Sequence, residues 1–375
     1  MEPLSHDPAE LAEKRRRVDQ LLADRGLDAL LLSTSANVAW ASGGGRPYIF
    51  EATDGGVAAL LYRRSGDALL LTSSIERDRL VAEEMPQFAD AVDVQPWYEE
   101  DRLAAVRRLV GMGRLGADAP GLSGAVDCAS QVATLRASLL PAEVRRYRWL
   151  GRHCGAALEK VAGNLRPGVS EHELASGVAS RLRAVGITPV VLLVAADDRI
   201  TRYRHPLPTD YRVRRYAMVV VCGRRWGLIA AATRIAHLGP LPDDLRRRHG
   251  ACVAVDAAVI AATRPGVSGA DLFARIVAAY AEQGYPDEWQ LHHQGGSTGY
   301  QGRDWLATPS STSVIVPHQA FAWNPSITGT KSEDTFVLDD DGQPEFLTAT
   351  GAWPTIQARA GDAVFQRPAI LEIGA

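Results

Sequence analysis

The element Arg-Pro-Gly-Val-Ser occurs twice in this sequence, at residues 166–170 and again at 264–268. Each copy closes a long helical pattern and precedes a second helix and a strand-rich stretch, and Ser170 opens the capping signal Ser-Glu-His-Glu. Five shared residues alone are a weak repeat, but the matching helical context indicates an internally duplicated α+β domain. Pseudo-twofold symmetry is therefore predicted for the second half of the chain.

The first part of the chain has a different pattern, in which helices alternate with strands. The predicted helices cover residues 10–26, 74–84 and 142–165, and the predicted strands cover residues 28–32, 57–62 and 68–72. A turn, Ser-Gly-Asp, separates the last two strands. The change of pattern before the third helix predicts two domains, 1–138 and 139–375.

Charge and composition exclude several classes of partner. Lys and Arg number 41 and Asp and Glu number 44, so the net charge of −3 offers no attraction to a phosphate backbone or an anionic membrane. The first residues lack the apolar core of a signal peptide, and no stretch approaches about 18 apolar residues. The four cysteines form no Cys-x-x-Cys pair. We expect a cytoplasmic protein with no nucleic-acid or membrane partner.

Eight short motifs occur in an order that resembles the creatinase, prolidase and aminopeptidase P group, the M24 or pita-bread family. They lie at residues 25–31, 36–40, 42–43, 205–206, 233–234, 295–299, 324–325 and 332–335. Each motif is weak, but together they span nearly the whole chain. The resemblance implies a fold of the α/β and α+β classes: a creatinase-like N-terminal α/β domain, then a C-terminal pita-bread domain. It also implies a homodimer.

The same resemblance implies a metal site that this sequence has largely lost. Metal-dependent members hold two divalent ions with two aspartates, a histidine and two glutamates, hard ligands that activate a water. Four of the five positions are replaced, and only Glu333 remains. The replacements are Val220 or Cys222 for the first aspartate, then Ala231, Gly296 and Asn324. One carboxylate cannot hold two divalent ions, so we predict neither a metal nor another cofactor.

The polar residues that remain predict acid–base chemistry. His205 corresponds to the family's first histidine, which moves protons near the scissile bond and is the principal base in metal-free creatinase. An imidazole titrates near neutral pH and can act as base and then as acid. His292 lies four residues before the lost histidine ligand, where peptidase relatives keep a proton-handling histidine, and is preferred over His293. His205, His292 and Glu333 are the predicted catalytic residues.

The predicted substrate-binding residues are Tyr203, Arg234, Tyr300, Arg303, Trp323, Asn324 and Lys331. If residues 200–205 are extended, Tyr203 shares a face with the base. Arg303 or Arg234 would bind a carboxylate through two parallel hydrogen bonds. Asn324 offers an acceptor and two donors where the family has a glutamate. Structural alternatives stay open: an Arg303–Asp304 ion pair, a Lys331–Glu333 ion pair, and a tight glycine turn after His293.

These residues predict a metal-independent enzyme that acts on a carbon–nitrogen bond of a small carboxylate-bearing amide, guanidino or amino-acid-derived substrate. A lyase, isomerase or cyclase would need the same base and carboxylate site. The alternative from another class is an inactive pseudopeptidase that binds a peptide or protein, as metal-free relatives in histone chaperones do, although such a binder needs no titratable base. A metallopeptidase with Cys222, His292, His293 and Glu333 as ligands is the third possibility, with no recognised ligand spacing.

Overall fold

The protein, seen here in a computed structural model that describes residues 6–99 and 101–374, divides into two compact units. The first unit extends to Arg146 and includes the segment Trp226–Leu228, and the second contains the rest. The division falls inside the helix Pro141–Ala162, and the boundary predicted at residues 138 and 139 lies just before that helix. Among the described residues, no helix is both long and apolar enough to cross a membrane.

The first unit is built on a six-stranded sheet. In spatial order its strands are Val92–Gln95, Ala68–Ser73, Gly55–Arg63, Ala29–Thr34, Leu115–Ala117 and Val126–Asp127. Its α-helices are Pro8–Asp24, Ser35–Ala41, Arg77–Arg79, Arg102–Val110 and Ala129–Leu135. Leu80–Glu84 is a π-helical turn, and Pro86–Phe88 and Trp97–Glu99 are 3-10 turns. The predicted alternation is confirmed, but the helix predicted over 74–84 begins only at Arg77 and continues as a π-helical turn.

The first helix buries charge as well as apolar surface. Leu11 is only half-buried, whereas Glu10 and Lys14 are 3% and 1% exposed. Lys14 Nζ lies 2.5 Å from Glu10 and 2.9 Å from Glu143, and Arg146 donates two hydrogen bonds to Glu10. Buried charges require paired partners of this kind. Periodicity cannot reveal the network because Glu10 and Arg146 are 136 positions apart.

The two copies of the repeated element have the same role in the second unit. Ser170 and Ser268 each cap a helix by accepting a hydrogen bond from a backbone N–H three residues on. Each serine also forms an antiparallel bridge, Ser170 with Arg212 and Ser268 with Val314. The glycine two residues before each serine has a positive φ, 83° and 90°, which glycine adopts without strain. This equivalence confirms the predicted duplication.

The second unit folds around a nine-stranded sheet. Seven strands follow one path: Trp305–Leu306, Gly295–Thr298, Ala320–Trp323, Asp334–Leu338, Leu228–Leu238, Tyr216–Arg225 and Thr188–Ala196. Pro344–Phe346 and Leu371–Ile373 pair beside that path, and two hairpins are formed by Ser326–Ile327 with Thr330–Lys331 and by Thr355–Ala360 with Ala363–Pro368. The helices are Glu171–Arg183, Asp198–Arg202, Asp243–Ala262, Gly269–Glu282 and the 3-10 turn Glu288–Leu291.

His249 is a buried histidine of the second unit that makes the stability of the protein depend on pH. Its Nδ1 lies 2.6 Å from Thr330 Oγ1 and its Nε2 lies 2.9 Å from the carbonyl oxygen of Pro368. A carbonyl only accepts, so Nε2 carries the proton and Nδ1 accepts from the hydroxyl. Burial lowers the pKa of His249 from 6.5 to about 4. The unfolded chain therefore binds more protons than the native protein between these two values.

We expect this group to lower the free energy of unfolding by up to about 3 kcal/mol as the pH falls from 6.5 to 4, with no contribution above pH 6.5. Urea denaturation of the wild type and of His249→Gln across this range measures the difference. The variant lacks the titrating group, so its stability should decrease less on acidification. Equal losses in the two proteins would contradict the assignment.

Candidate active site

Three histidines come together in the second unit. His205 lies in the loop after the helix Asp198–Arg202, and His292 and His293 precede the strand Gly295–Thr298. The Nε2 atoms of His205 and His292 are 2.9 Å apart, and one nitrogen from each of the three rings lies within 4.8 Å of the others. His292 is 8% exposed, whereas the other two histidines are exposed. The two predicted catalytic histidines are thus adjacent, and His293 joins them.

The surroundings keep these rings uncharged. Burial, together with the charge of Lys331, lowers the pKa of His292 from 6.5 to about 2 and moves that of His205 in the same direction. Although part of His293 is exposed, desolvation of its ring and the charge of Arg303 lower its pKa to about 4. All three are therefore neutral imidazoles at pH 7, each with one N–H donor and one lone pair.

Glu333 is the family ligand that this chain keeps, and its negative charge is already balanced by neighbouring cations. It is 2% exposed, and Lys331 Nζ lies 2.9 Å from its Oε2. Thr233 Oγ1 donates to the same oxygen at 2.7 Å, and Arg303 Nη2 donates to Oε1 at 3.2 Å. Burial alone would raise the pKa of Glu333, but Lys331 and Arg303 lower it to about 2. Lys331 and Arg303, both predicted to bind substrate, therefore pair with the carboxylate of Glu333.

A pair of divalent ions does not fit the residues at the family's metal positions. Val220 is buried in an apolar cluster, and Ala231 offers only backbone atoms, which are hydrogen-bonded to Thr335. Gly296 lies so close to its neighbouring strand that a Cβ there would collide with the carbonyl oxygen of Trp305, so a histidine cannot simply replace it. Asn324 carries no charge, and Glu333 would have to leave Lys331 and Arg303 before it could bind an ion.

Cys222 lies near Glu333 but is not poised as a nucleophile. The residue is half-buried on the strand Tyr216–Arg225. Burial, and then the negative charge of Glu333, raise the pKa of its thiol to about 11. The reactive species of a cysteine is the thiolate, which is scarce at pH 7 with such a pKa.

Three buried polar atoms of the candidate site have no hydrogen-bond partner among the described residues: Nδ1 of His292, Nε of Arg303 and Oδ1 of Asn324. Buried polar atoms are almost always paired in folded proteins, with protein groups or with bound molecules. Nε of Arg303 can only donate, Nδ1 of His292 donates or accepts according to its tautomer, and the amide oxygen of Asn324 accepts. The arrangement suits a small polar ligand that carries both donors and acceptors.

The predicted position of Tyr203 beside the base rests on a wrong premise. Residues 198–202 form a short helix, stabilised by the Asp198–Arg202 ion pair at 2.6 Å and by Thr201 Oγ1 donating to the Asp198 carbonyl at 2.7 Å. The alternation expected of an extended strand therefore does not hold. Tyr203 is 49% exposed, with the guanidinium of Arg199 lying 5.4 Å from its ring centroid.

Arg234 and Trp323 point into buried surroundings, which contradicts their predicted contact with substrate. The guanidinium of Arg234 is 2.9 Å from Asp334 and 3.4 Å from Glu159. Trp323 packs in the apolar core, stacks on Phe321 and donates from Nε1 to Thr263 at 3.0 Å. Arg234 follows Thr233 on the strand Leu228–Leu238, and Trp323 ends the strand that precedes Asn324. Successive side chains of a strand point to opposite faces, so a neighbour of a site residue points away from the site.

Thr233 was not among the predicted site residues, and His293 was predicted only as a ligand of the third possibility, the unusual metallopeptidase. Thr233 lies two positions after Ala231 on the strand Leu228–Leu238, so strand periodicity would have placed it on the face of the lost aspartate. His293 becomes part of the cluster because residues 292–293 lie outside any regular strand, where strict alternation does not apply. Tyr300 is 2% exposed, and its predicted contact with substrate stays a prediction.

Comparison with known families identifies both halves of the chain. The sequence model of metallopeptidase family M24 matches residues 145–341, and that of the creatinase/prolidase N-terminal domain matches residues 14–126. No curated protein matches the chain by sequence.

Solved structures share the fold over almost the entire chain. A dipeptidase PepE from Mycobacterium ulcerans is similar with a TM-score of 0.78 at 18% identity, covering 99% of this chain and 100% of its own. A Xaa-Pro dipeptidase from Bacillus anthracis gives 0.76 at 18% identity, covering 97% and 100%. The N-terminal domain of a FACT complex subunit from Cicer arietinum gives 0.68 at 12% identity, covering 91% and 97%. The predicted fold, a creatinase-like domain followed by a pita-bread domain, is confirmed.

Proposed function

Because this chain belongs to metallopeptidase family M24, we propose that it is an enzyme of that fold that works without the family's two-ion centre. In this proposal it acts on a carbon–nitrogen bond of a small carboxylate-bearing amide, guanidino or amino-acid-derived molecule. The main support is the 2.9 Å contact between two neutral imidazoles, His205 and His292, close to a carboxylate already held by Lys331 and Arg303. The names of the similar dipeptidases are consistent with chemistry at carbon–nitrogen bonds.

The proposed reaction is a hydrolysis with His205 as the proton carrier. His205 removes a proton from water while the water oxygen bonds to the substrate carbon, and it returns that proton to the departing nitrogen as the carbon–nitrogen bond breaks. Water supplies both the hydroxyl and the proton, so the atoms balance. His292 orients the base through the Nε2–Nε2 contact, and Asn324 can accept a hydrogen bond from an amide or guanidino N–H with its unpartnered Oδ1.

The charges of the site favour an anionic substrate. Lys331 and Arg303 are positive, Glu333 is negative and the three imidazoles are neutral, so these groups together carry one positive charge. Arg303 reaches Glu333 with one nitrogen at 3.2 Å, while its buried Nε has no partner among the described residues. A substrate carboxylate could accept from that donor.

A lyase, isomerase or cyclase could use the same groups, and the origin of the product's oxygen distinguishes these reactions. Hydrolysis in H₂¹⁸O should place one ¹⁸O atom in the product, which mass spectrometry detects directly. Elimination, isomerisation and cyclisation take no oxygen from water.

A second candidate function is binding of a peptide or partner protein without turnover. It is favoured by the likeness to the domain of a FACT complex subunit, which is named as part of a complex and not as a peptidase. The neutral histidine pair argues for the enzyme, because a binding cleft has no need of a proton carrier.

A thermal-shift screen of small carboxylated amides, guanidino compounds and amino-acid conjugates tests the proposal first. A ligand at a hundred times its Kd adds about 2.7 kcal/mol to the free energy of unfolding, so binders are detectable before any reaction is known. Each hit is then assayed for turnover. If hits bind but are never transformed, and His205→Asn binds them as tightly as the wild type, the binding function replaces the enzymatic one.

Chelation should not abolish activity. Protein purified without chelator and then dialysed against EDTA should retain its turnover, because the family's ligand positions no longer offer a ligand set for two ions. Elemental analysis before dialysis should find fewer than two divalent ions per chain. Two bound Mn, Co or Zn ions, together with activity abolished by EDTA, would refute the metal-independent mechanism.

We also propose a homodimer, supported by family matches that cover both units. Light scattering of the full chain at micromolar concentration should give about twice the chain mass of 40.4 kDa. A single-chain mass under these conditions would contradict the proposal.

A further inference from the structure

The three histidines of the candidate site also have the geometry of a ligand set. One nitrogen of each ring lies within 4.8 Å of the others, and the closest pair, the Nε2 atoms of His205 and His292, is 2.9 Å apart. A tetrahedral zinc ion binds imidazole nitrogens at about 2.0–2.1 Å, which places them about 3.4 Å from one another. The observed separations lie on both sides of that value.

Small side-chain rotations would bring all three nitrogens to the required distance. His205 and His293 are exposed, so their rings can turn without disturbing the core, while His292 is 8% exposed and fixed by its surroundings. His293 already contacts the backbone N–H of Gly295 with Nδ1 at 3.3 Å, a long hydrogen bond that is easily given up. The buried ring thus provides one fixed ligand, and the exposed rings close around it.

The buried ring of His292 faces a second imidazole at this place. The residue is 8% exposed, and its Nε2 lies 2.9 Å from Nε2 of His205. Two facing Nε2 atoms can share a proton or can both donate lone pairs to a cation. Imidazole is a preferred ligand of Zn²⁺, Ni²⁺ and Cu²⁺.

We propose that His205, His292 and His293 together bind one transition-metal ion, Zn²⁺ or a similar borderline cation, at a position that is not the family's two-ion centre. Three protein nitrogens leave the fourth coordination position open to water or to a small anion. Glu333 does not complete the set, because its oxygens are held by Lys331, Thr233 and Arg303. The ion would be mononuclear.

This inference goes beyond the proposed function and has a defined consequence for it. An ion bound to Nε2 of His205 leaves the ring hydrogen on Nδ1, so that imidazole keeps no lone pair with which to remove a proton from water. Zn²⁺ should therefore inhibit the proposed reaction reversibly, and EDTA should restore it. If added Zn²⁺ instead activates the protein, the metal-independent mechanism fails while the metal site stands.

Cobalt titration of the chelator-stripped, full-length protein tests the site without any substrate, because Co²⁺ in a four- or five-coordinate nitrogen site absorbs visible light. We expect saturation at one Co²⁺ per chain, and Zn²⁺ should displace the cobalt and remove the absorption. His293→Gln, a change at an exposed position, should weaken binding at least tenfold, since even the loss of a group behind a ligand costs that much. His172→Gln removes an exposed histidine of the helix Glu171–Arg183 and should bind as the wild type does.

The site would be overturned by no visible absorption up to millimolar Co²⁺, by saturation at two ions per chain, or by equal affinity in His293→Gln and wild type. Equal weakening in His293→Gln and His172→Gln would also overturn it, because the ion would then bind surface histidines without regard to the cluster. Each of these outcomes leaves the proposed acid–base function untouched, so the two proposals can fail separately.

Discussion

Replacing His205 with asparagine should lower turnover by about a hundredfold to ten-thousandfold and leave the fold intact. His205 is exposed, so the change creates no cavity, and asparagine keeps a polar side chain that cannot carry a proton at neutral pH. The loss should appear in kcat, since the imidazole acts on the reacting atoms and not in ground-state binding. Steady-state kinetics in the presence of EDTA measures this effect apart from any bound metal.

Two variants make the result specific. His172→Asn, at an exposed position on the helix Glu171–Arg183, should have the kinetics of the wild type. Arg303→Gln should mainly raise KM for a carboxylate substrate, because a binding contact contributes equally to the bound substrate and to the transition state. If His205→Asn keeps more than a tenth of the wild-type kcat while its circular dichroism is unchanged, His205 is not the proton carrier.

The fold could be predicted because its signals are local and repeated. The two Arg-Pro-Gly-Val-Ser elements each contain a glycine at positive φ and a serine that caps a helix. Both features can be recognised from the five residues alone. The helix over 74–84 was harder to place, since its first residues form a turn and its last ones a π-helical turn. Buried charge is invisible to periodicity altogether, as Lys14 on the first helix shows.

The candidate site was predictable only where the family resemblance fixed the position of a residue in the fold. His205, His292, Asn324 and Glu333 were selected by motif order, and the histidine pair lies close to the charges around Glu333. The prediction for Tyr203 depended on local conformation, and a five-residue helix takes the place of the extended segment that it assumed. Arg234 was chosen for its charge alone, and charge says nothing about which face of a strand a side chain leaves from.

Replacing Arg234 tests whether this arginine stabilises the fold or binds the substrate. The side chain is 1% exposed, and its guanidinium donates to Asp334 at 2.9 Å, to the Thr233 carbonyl at 2.9 Å and to the Thr348 carbonyl at 3.1 Å. A second carboxylate, that of Glu159, lies 3.4 Å away. Removing the arginine would leave the buried carboxylate of Asp334 and the partly buried one of Glu159 with less positive charge than they need.

Arg234→Met should therefore lower the free energy of unfolding by about 3–5 kcal/mol, while KM of the protein that remains folded should hardly change. Urea denaturation at pH 7 measures the loss. Arg148→Met is the matched control, since Arg148 pairs with Glu345 at 2.6 Å on the surface with about half of its side chain exposed, and its loss should cost less than about 1 kcal/mol. If Arg234→Met kept the stability of the wild type and raised KM for a carboxylate substrate tenfold, Arg234 would be a substrate-binding residue after all.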